Sequence, residues 1–163
     1  MATPGRFEHV TELAPLARDR LAEARELLAR LDHQAARVAE EKLFGDAPVP
    51  SEATAALDDG RLIGLSVVSG RWLRVLAVAP DARGQGVGSA LLAAAERRAL
   101  MWGFSRLRAG DQPGNYLTPG VDARDTATLG WLERRGFQRV GVNENLRVPL
   151  IGNPRVTPIR LAG

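Results

Sequence analysis

Apolar residues return at three- and four-residue intervals from Leu13 to Leu31, at Leu13, Leu16, Ala17, Leu21, Ala24, Leu27, Leu28 and Leu31, with arginines and glutamates between them. That period lays one apolar stripe along a helix. A second helix is predicted over Gln34 to Leu43. The stretch GDAPVPSE at 45–52 reads as loop, because glycine and two prolines remove the helical options. From there the period changes. ATAALDDGRLIGLSVV at 53–68 reads as two strands joined by a tight turn at Asp58, Asp59 and Gly60, and Ser69 and Gly70 turn the chain again. RWLRVLAV at 71–78 is a nearly continuous apolar run, the pattern of a central strand covered on both faces. APDARGQGVGSALLAAAERRALMWG follows, a loop leading into a helix from about Gly86 to Trp102 that Gly103 stops. SRLRAG at 105–110 is the next strand, and this order makes a βαβ unit whose two strands run parallel. Residues 111–124 form a polar loop. Asp125 caps a helix predicted over Thr126 to Arg135, which Gly136 ends. FQRVGV at 137–142 and NLRVPLI at 145–151 close the chain as two strands around a turn at Asn143 to Asn145.

A length of 163 residues with 45% hydrophobic and 25% charged residues fits one globular domain, 1–163. The N-terminal MATPGRFEHV lacks an apolar stretch, and no run approaches the roughly 18 apolar residues of a membrane span. A cytoplasmic protein without a membrane partner is expected. The absence of cysteine excludes disulfides, thiolate nucleophiles and cysteine-held zinc, and His9 and His33 stand too far apart for a helical metal pair, so no metal is expected. The net charge is +3, and Lys42 is the sole lysine beside many arginines. That balance points weakly to anionic ligands. No basic run is interleaved with aromatics, so nucleic acid is not an expected partner.

Gly84, Gly86 and Gly88 stand at every second position ahead of a helix. The first N–H groups of a helix lack intrahelical acceptors and carry the positive end of its dipole, so an anion fits there. Glycines allow positive φ and leave no Cβ between a phosphate and those N–H groups. Arg83 adds a guanidinium at the rim. A plain turn leading into an alanine-rich core helix explains the glycines alone equally well. The P-loop pattern is absent, since Gly88 is followed by Ser89 and Ala90 with no lysine. The dinucleotide fingerprint fails too, because position 89 is serine and five residues separate the strand from Gly84.

Arg83-Gly84-Gln85-Gly86-Val87-Gly88 resembles the coenzyme loop of the GNAT superfamily of N-acetyltransferases, Gln/Arg-x-x-Gly-x-Gly/Ala. LRVLAVAPDARGQGVGSALL, 73–92, is similar to that family's strand, loop and helix throughout, and DTATLGWLERRGF, 125–137, resembles its second signature, Asn-x-x-Ala-x-x-Leu-Tyr-x-x-x-Gly-Phe. The resemblance covers about residues 6–150. It implies an α/β fold of the α+β kind, with a mixed, mostly antiparallel sheet of six to seven strands and helices on both faces. It also implies acetyl-coenzyme A as cosubstrate. In that reading the pyrophosphate lies on Arg83, Gly84, Gln85, Gly86, Val87, Gly88 and Ser89, the pantetheine arm lies along Leu76, Ala77 and Val78, and the strand parts there from 105–110. The Val78 N–H then faces the thioester carbonyl, and Asp125 takes the asparagine position of the second signature. The implied activity is transfer of an acetyl group to a primary amine, in a small molecule or a peptide, by direct attack in a ternary complex. A homodimer stays open.

Acetyl transfer needs a base for the amine proton and an acid for the departing thiolate. The family's tyrosine position falls on Leu132, and 72–78 holds no carboxylate. Tyr116, the only tyrosine, is the candidate acid; its other reading is packing within the loop. Glu52 and Asp111 are the candidate bases, with a solvated surface role as the alternative for each. His9 and His33 belong to the segment that lines the acceptor cleft in the resembling family, and otherwise read as surface histidines. Trp72, Trp102 and Trp131 read as packing residues. Two rivals remain: a catalytically silent acetyl-coenzyme A sensor or scaffold, which Leu132 favours, and a nucleotide-binding βαβ domain. The loop 111–124 is where acceptor choice is expected to reside.

Overall fold

Pro15 decides how the chain begins. A computed structural model describes residues 12–31, 33–114, 120–142 and 151. The first element among the described residues is a strand, β1 (Glu12–Pro15), where the apolar period predicts the start of a helix. Proline disfavours helical geometry in the residue before it and has no N–H, a loss that an edge strand tolerates. The helix therefore starts later, as α1 (Leu21–Ala29), after a single 3-10 turn at Arg18–Arg20, and it buries Ala24, Leu27 and Leu28. The second predicted helix is two short ones, α2 (His33–Arg37) and α3 (Ala39–Phe44), broken at Val38 with φ −116° and ψ 25°.

The hairpin forms as predicted, from β2 (Ser51–Asp58) and β3 (Arg61–Ser69). Its two-residue turn has positive φ at both positions, Asp59 at 47° and Gly60 at 78°, a conformation that matches the twist of the strands it joins. β4 (Trp72–Val78) pairs antiparallel with β3, and β5 (Arg108–Ala109) pairs parallel with β4, as a βαβ unit requires. Among the described residues the sheet has five strands in the order β1-β2-β3-β4-β5, mostly antiparallel, against the six to seven expected. The segment 137–142 forms no strand, and its expected mate at 145–150 lies outside the described residues.

β4 is an interior strand, as expected, with β3 on one side and β5 on the other, and β3 beside it is the more deeply buried. Every β3 residue from Leu62 to Ser69 is buried, and since alternate side chains face opposite ways, both faces of the sheet are covered. The long helix α4 (Val87–Met101) lies over β3 at Gly64, where a Cβ would stand 3.0 Å from Leu91 and 3.1 Å from Val87. Leu65, Val67, Leu91 and Val87 join Leu27, Leu28 and Leu43 in the core. Gly103, with φ 86°, ends α4, and the N–H of Phe104 returns to the carbonyl of Ala99 at 3.0 Å. The chain divides into two compact units, Met1–Asp125 and Thr126–Gly163. The second contains α5 (Thr126–Glu133), which directly follows Asp125 and ends before Gly136 with φ 86°.

Candidate functional site

The glycine-rich loop is an exposed entrance to α4. Pro80–Ala82 forms a 3-10 turn, and Gly84 and Gly86 then adopt positive φ, 74° and 87°. A Cβ at either would meet nothing within 4 Å, so the space outside both glycines is open. Gly88 differs from the expectation: it lies inside the first turn of α4 and does not take positive φ. Gly86 is the N-cap and has no side chain to offer the helix; the first intrahelical bond runs from Ala90 N–H to Gly86 C=O at 3.0 Å. The N–H groups of Val87 and Gly88, ahead of that bond, have no carbonyl one turn back. Val87 anchors the loop by burying its side chain, and Ser89 sits in the same first turn. The Gln85 amide donates to the Asp81 carbonyl at 3.0 Å, and Arg61 holds the Asp81 carboxylate at 2.9 Å. That guanidinium keeps the Asp81 carboxyl below its ordinary range.

Beside this loop the sheet opens. β4 pairs with β5 only at Trp72↔Arg108 and Leu73↔Ala109, while on its other side it stays paired with β3 as far as Val78. Gly110, with φ 77°, donates to the Leu73 carbonyl at 3.2 Å and turns the chain away. From Arg74 to Val78, Leu76 and Ala77 included, β4 has no ladder partner on the β5 side among the described residues. The Ala79 N–H goes to Ile63 at 2.8 Å, so strand alternation turns the N–H and C=O of Val78 towards that open side, where Arg83 Nε reaches the carbonyl at 3.4 Å. Arg83 and Val78 are thereby brought together.

The candidate catalytic groups are not gathered in the same way. Tyr116 lies outside the described residues, as does His9, and of His33 only the backbone, opening α2, is described. Asp111 is ion-paired with Arg108, with Nε to Oδ2 at 3.0 Å. Glu52 is held by Arg98 of α4 at 2.6 Å. Each carboxylate is thus already engaged by an arginine. Trp72, Trp102 and Trp131 stack against Arg71, Arg98 and Arg135 respectively. Leu132 and Trp131 are half-buried in α5. Asp125 donates its N–H to the Asp122 carbonyl at 2.9 Å, just ahead of α5. Nearby, Arg124 holds the Asp122 carboxyl down at about 2. A groove of about 410 Å³ is lined by Arg25, Arg37, Val38, Glu40, Glu41 and Gly45.

One cluster escapes the sequence reading. Arg74, 6% exposed, is buried beside Gln112 and Ser69. Its Nε donates to Gln112 Oε1 at 2.7 Å, its Nη2 to Ser69 Oγ at 3.3 Å, and its Nη1 to the carbonyls of Lys42 at 3.4 Å and Gly45 at 3.3 Å. Gln112 Nε2 also donates to Ser69 Oγ at 3.1 Å. Burial pushes the guanidinium below its ordinary value, and the charge of Glu41 acts against that. The signal was present: Arg74 is the one charge inside an apolar run, and a charge in a doubly covered strand needs partners.

No curated protein shows a significant sequence match. Among solved structures the fold is similar to a transcriptional regulator from Bacillus halodurans C-125 (TM-score 0.65, 17% identity, 85% of this chain and 99% of that one). It is also similar to the aminoglycoside N-acetyltransferase AAC(6')-Iy in complex with CoA (TM-score 0.65, 19% identity, 90% of this chain and 99% of that one). A third similar structure is a ribosomal-protein-alanine N-acetyltransferase from Brucella melitensis biovar Abortus 2308 (TM-score 0.60, 21% identity, 85% of this chain and all of that one). The sequence matches the Acetyltransferase (GNAT) family over residues 16–118, a stretch holding the opened strand, the glycine loop and α4. That is more than half of the chain, and the protein belongs to this family, whose cosubstrate is acetyl-coenzyme A.

Proposed function

We propose that the chain, 1–163 acting as one transferase domain, moves an acetyl group from acetyl-coenzyme A to a primary amine. The observation that carries this is the junction of two features: an open anion loop at the start of α4 and, next to it, a strand whose edge is freed from Arg74 to Val78. The loop residues fit a pyrophosphate. Gly84 and Gly86 leave room, the first-turn N–H groups of Val87 and Gly88 have no intrahelical acceptor, and Arg83 supplies a cation. The freed edge at Leu76, Ala77 and Val78 fits an amide-bearing arm, which would take main-chain hydrogen bonds as an added strand does. Ser89 and Asp125 complete the proposed coenzyme contacts.

The coenzyme brings an activated acyl group as a thioester. The chain's own part is to hold it and to aim a donor at the oxygen where charge develops, the role assigned to the Val78 N–H. Enforced proximity supplies much of the rate, because the amine and the acyl carbon meet in one complex. Tyr116 is assigned as the proton donor to the leaving thiolate. The amine proton goes to water or to Glu52 or Asp111 once released from its arginine. With no cysteine in the chain, the amine attacks directly and no acetyl-enzyme forms. Aminoglycosides and a ribosomal-protein alanine are the acceptors named for two of the similar structures, and both offer amines.

The test is binding and turnover together. Calorimetry with acetyl-coenzyme A, ATP and NAD should show binding of the first alone, and thiol release with an amine panel should then identify the acceptor. Initial rates with both substrates varied should give intersecting lines; parallel lines would contradict direct attack. A second reading, a silent coenzyme-binding module, is favoured by Leu132 and by the arginine-paired state of Glu52 and Asp111. Tight coenzyme binding without thiol release on any amine would select it.

A further inference from the structure

We propose that Arg74 and Gln112 form a wedge that sets the width of the gap between β4 and the segment after β5, and so positions the coenzyme arm in that gap. The inference rests on the coenzyme reading above. Its first support is location. Main-chain pairing of β4 with β5 ends at Leu73↔Ala109, and the next β4 residue is Arg74, whose side chain reaches the segment after β5 through Gln112 at 2.7 Å. A side-chain bridge takes over where the ladder stops.

The second support is the bulge. On β3, Val68 faces Leu73 and the adjacent Val67 faces Val75, so Arg74 is the extra residue on β4. A bulge bends its strand and re-aims one side chain. Here it marks the point from which β4 runs on without β5, and it directs the guanidinium into the fork. The third support is the partner set. Among the described residues its hydrogen-bond acceptors are uncharged, namely Gln112, Ser69 and the carbonyls of Lys42 and Gly45, and the charge of Glu41 acts in its favour. Replacing a buried charge by an apolar side chain of similar volume is often neutral or stabilising, so stability alone is a weak reason for a guanidinium here. What the guanidinium adds is a planar fork of fixed donors that ties the end of α3, the end of β3 and the segment after β5 to one point.

The experiment uses two ligands that divide the site. Adenosine 3′-phosphate 5′-diphosphate, which lacks the pantetheine arm, reports the anion loop alone; acetyl-coenzyme A reports loop and gap together. Calorimetry on the full chain should show Gln112→Ala and Arg74→Lys each losing about tenfold or more in acetyl-coenzyme A affinity, as misplacement by a fraction of an ångström does. Binding of the arm-less nucleotide should stay within about twofold. Gln112→Glu keeps an oxygen for Arg74 Nε and should stay within about threefold of the parent for both ligands. If Arg74→Lys fails to fold, Gln112→Ala, which removes an uncharged side chain, gives the answer alone. Equal losses for both ligands, or an unchanged acetyl-coenzyme A affinity in Gln112→Ala, would overturn the wedge. If the parent protein binds the arm-less nucleotide but acetyl-coenzyme A no better, the arm is not in the gap and the wedge falls while the anion loop stands. If the parent binds neither, the coenzyme reading itself fails and takes the wedge with it.

Discussion

Gly88→Glu separates the two jobs a glycine can do at the start of α4. Gly84 and Gly86 have positive φ, so any side chain there costs about 1 to 2 kcal/mol of backbone strain whatever binds outside. Loss of binding in those variants would be ambiguous. Gly88 is already helical, where glycine is worse than alanine by about 0.5 to 1 kcal/mol, so its backbone conformation gives no reason for it. A close-lying anion does. Gly88→Ala is therefore expected to raise stability by up to about 1 kcal/mol, a Tm increase of roughly 2 to 4 °C for a chain of this size. In Gly88→Glu a carboxylate in the first turn meets the positive end of the helix dipole, which contributes a further 0.3 to 1 kcal/mol or so. The fold should survive. The same carboxylate would compete with a phosphate for the helix start, and like charges about 4 Å apart near a protein surface repel by about 4 kcal/mol. Acetyl-coenzyme A affinity should then fall by roughly two to three orders of magnitude. Calorimetry with urea unfolding of both variants checks the pair of outcomes. An affinity for Gly88→Glu within about threefold of the parent would refute the anion site at this helix start.

Arg83→Ala should weaken acetyl-coenzyme A by about 1 to 3 kcal/mol, less than Gly88→Glu, because one charge-assisted contact is lost while the N–H groups remain. Tyr116→Phe should lower kcat by about 10²-fold with coenzyme affinity unchanged; an effect below about threefold removes Tyr116 from the mechanism. The Asp81 carboxyl, held low chiefly by Arg61, should titrate below ordinary aspartates by carbon NMR and move up towards them in Arg61→Ala. A depressed carboxylate contributes stability above the unfolded value and loses it as pH falls through the folded one, so ordering of the 81–86 loop should decline only on the acid side.

What was legible in the sequence is what neighbours in the chain decide. Asp59 and Gly60 announce a turn because positive φ is needed within two residues, and Gly103 stops α4 by the same local rule. The parallel β4–β5 pair follows from chain order alone. Pro15 was a local signal outweighed by a longer one. The stripe from Leu13 to Leu31 has helical spacing, yet β1 occupies its first residues because Leu13 and Leu16 can also serve an edge strand and its continuation, with Leu16 donating to Ala53 at 2.8 Å.

The candidate site divides along the same line. Its anion loop is a run of adjacent residues, and each glycine's role follows from the helix start that the run itself creates. The catalytic carboxylates are different, because their state depends on partners set by the fold. Glu52 looks like an available base until α4 brings Arg98 to 2.6 Å, and no spacing rule links a β2 residue to the last turns of a helix behind it. Arg74 and Gln112 are separated by 38 positions and meet only because the parallel strand returns beside β4 and then leaves it. Side-chain chemistry alone says that a buried guanidinium must be satisfied. Which carbonyls and amide satisfy it is decided by where the ladder ends, and the fork that exposes the β4 edge is the same feature that brings those partners within reach.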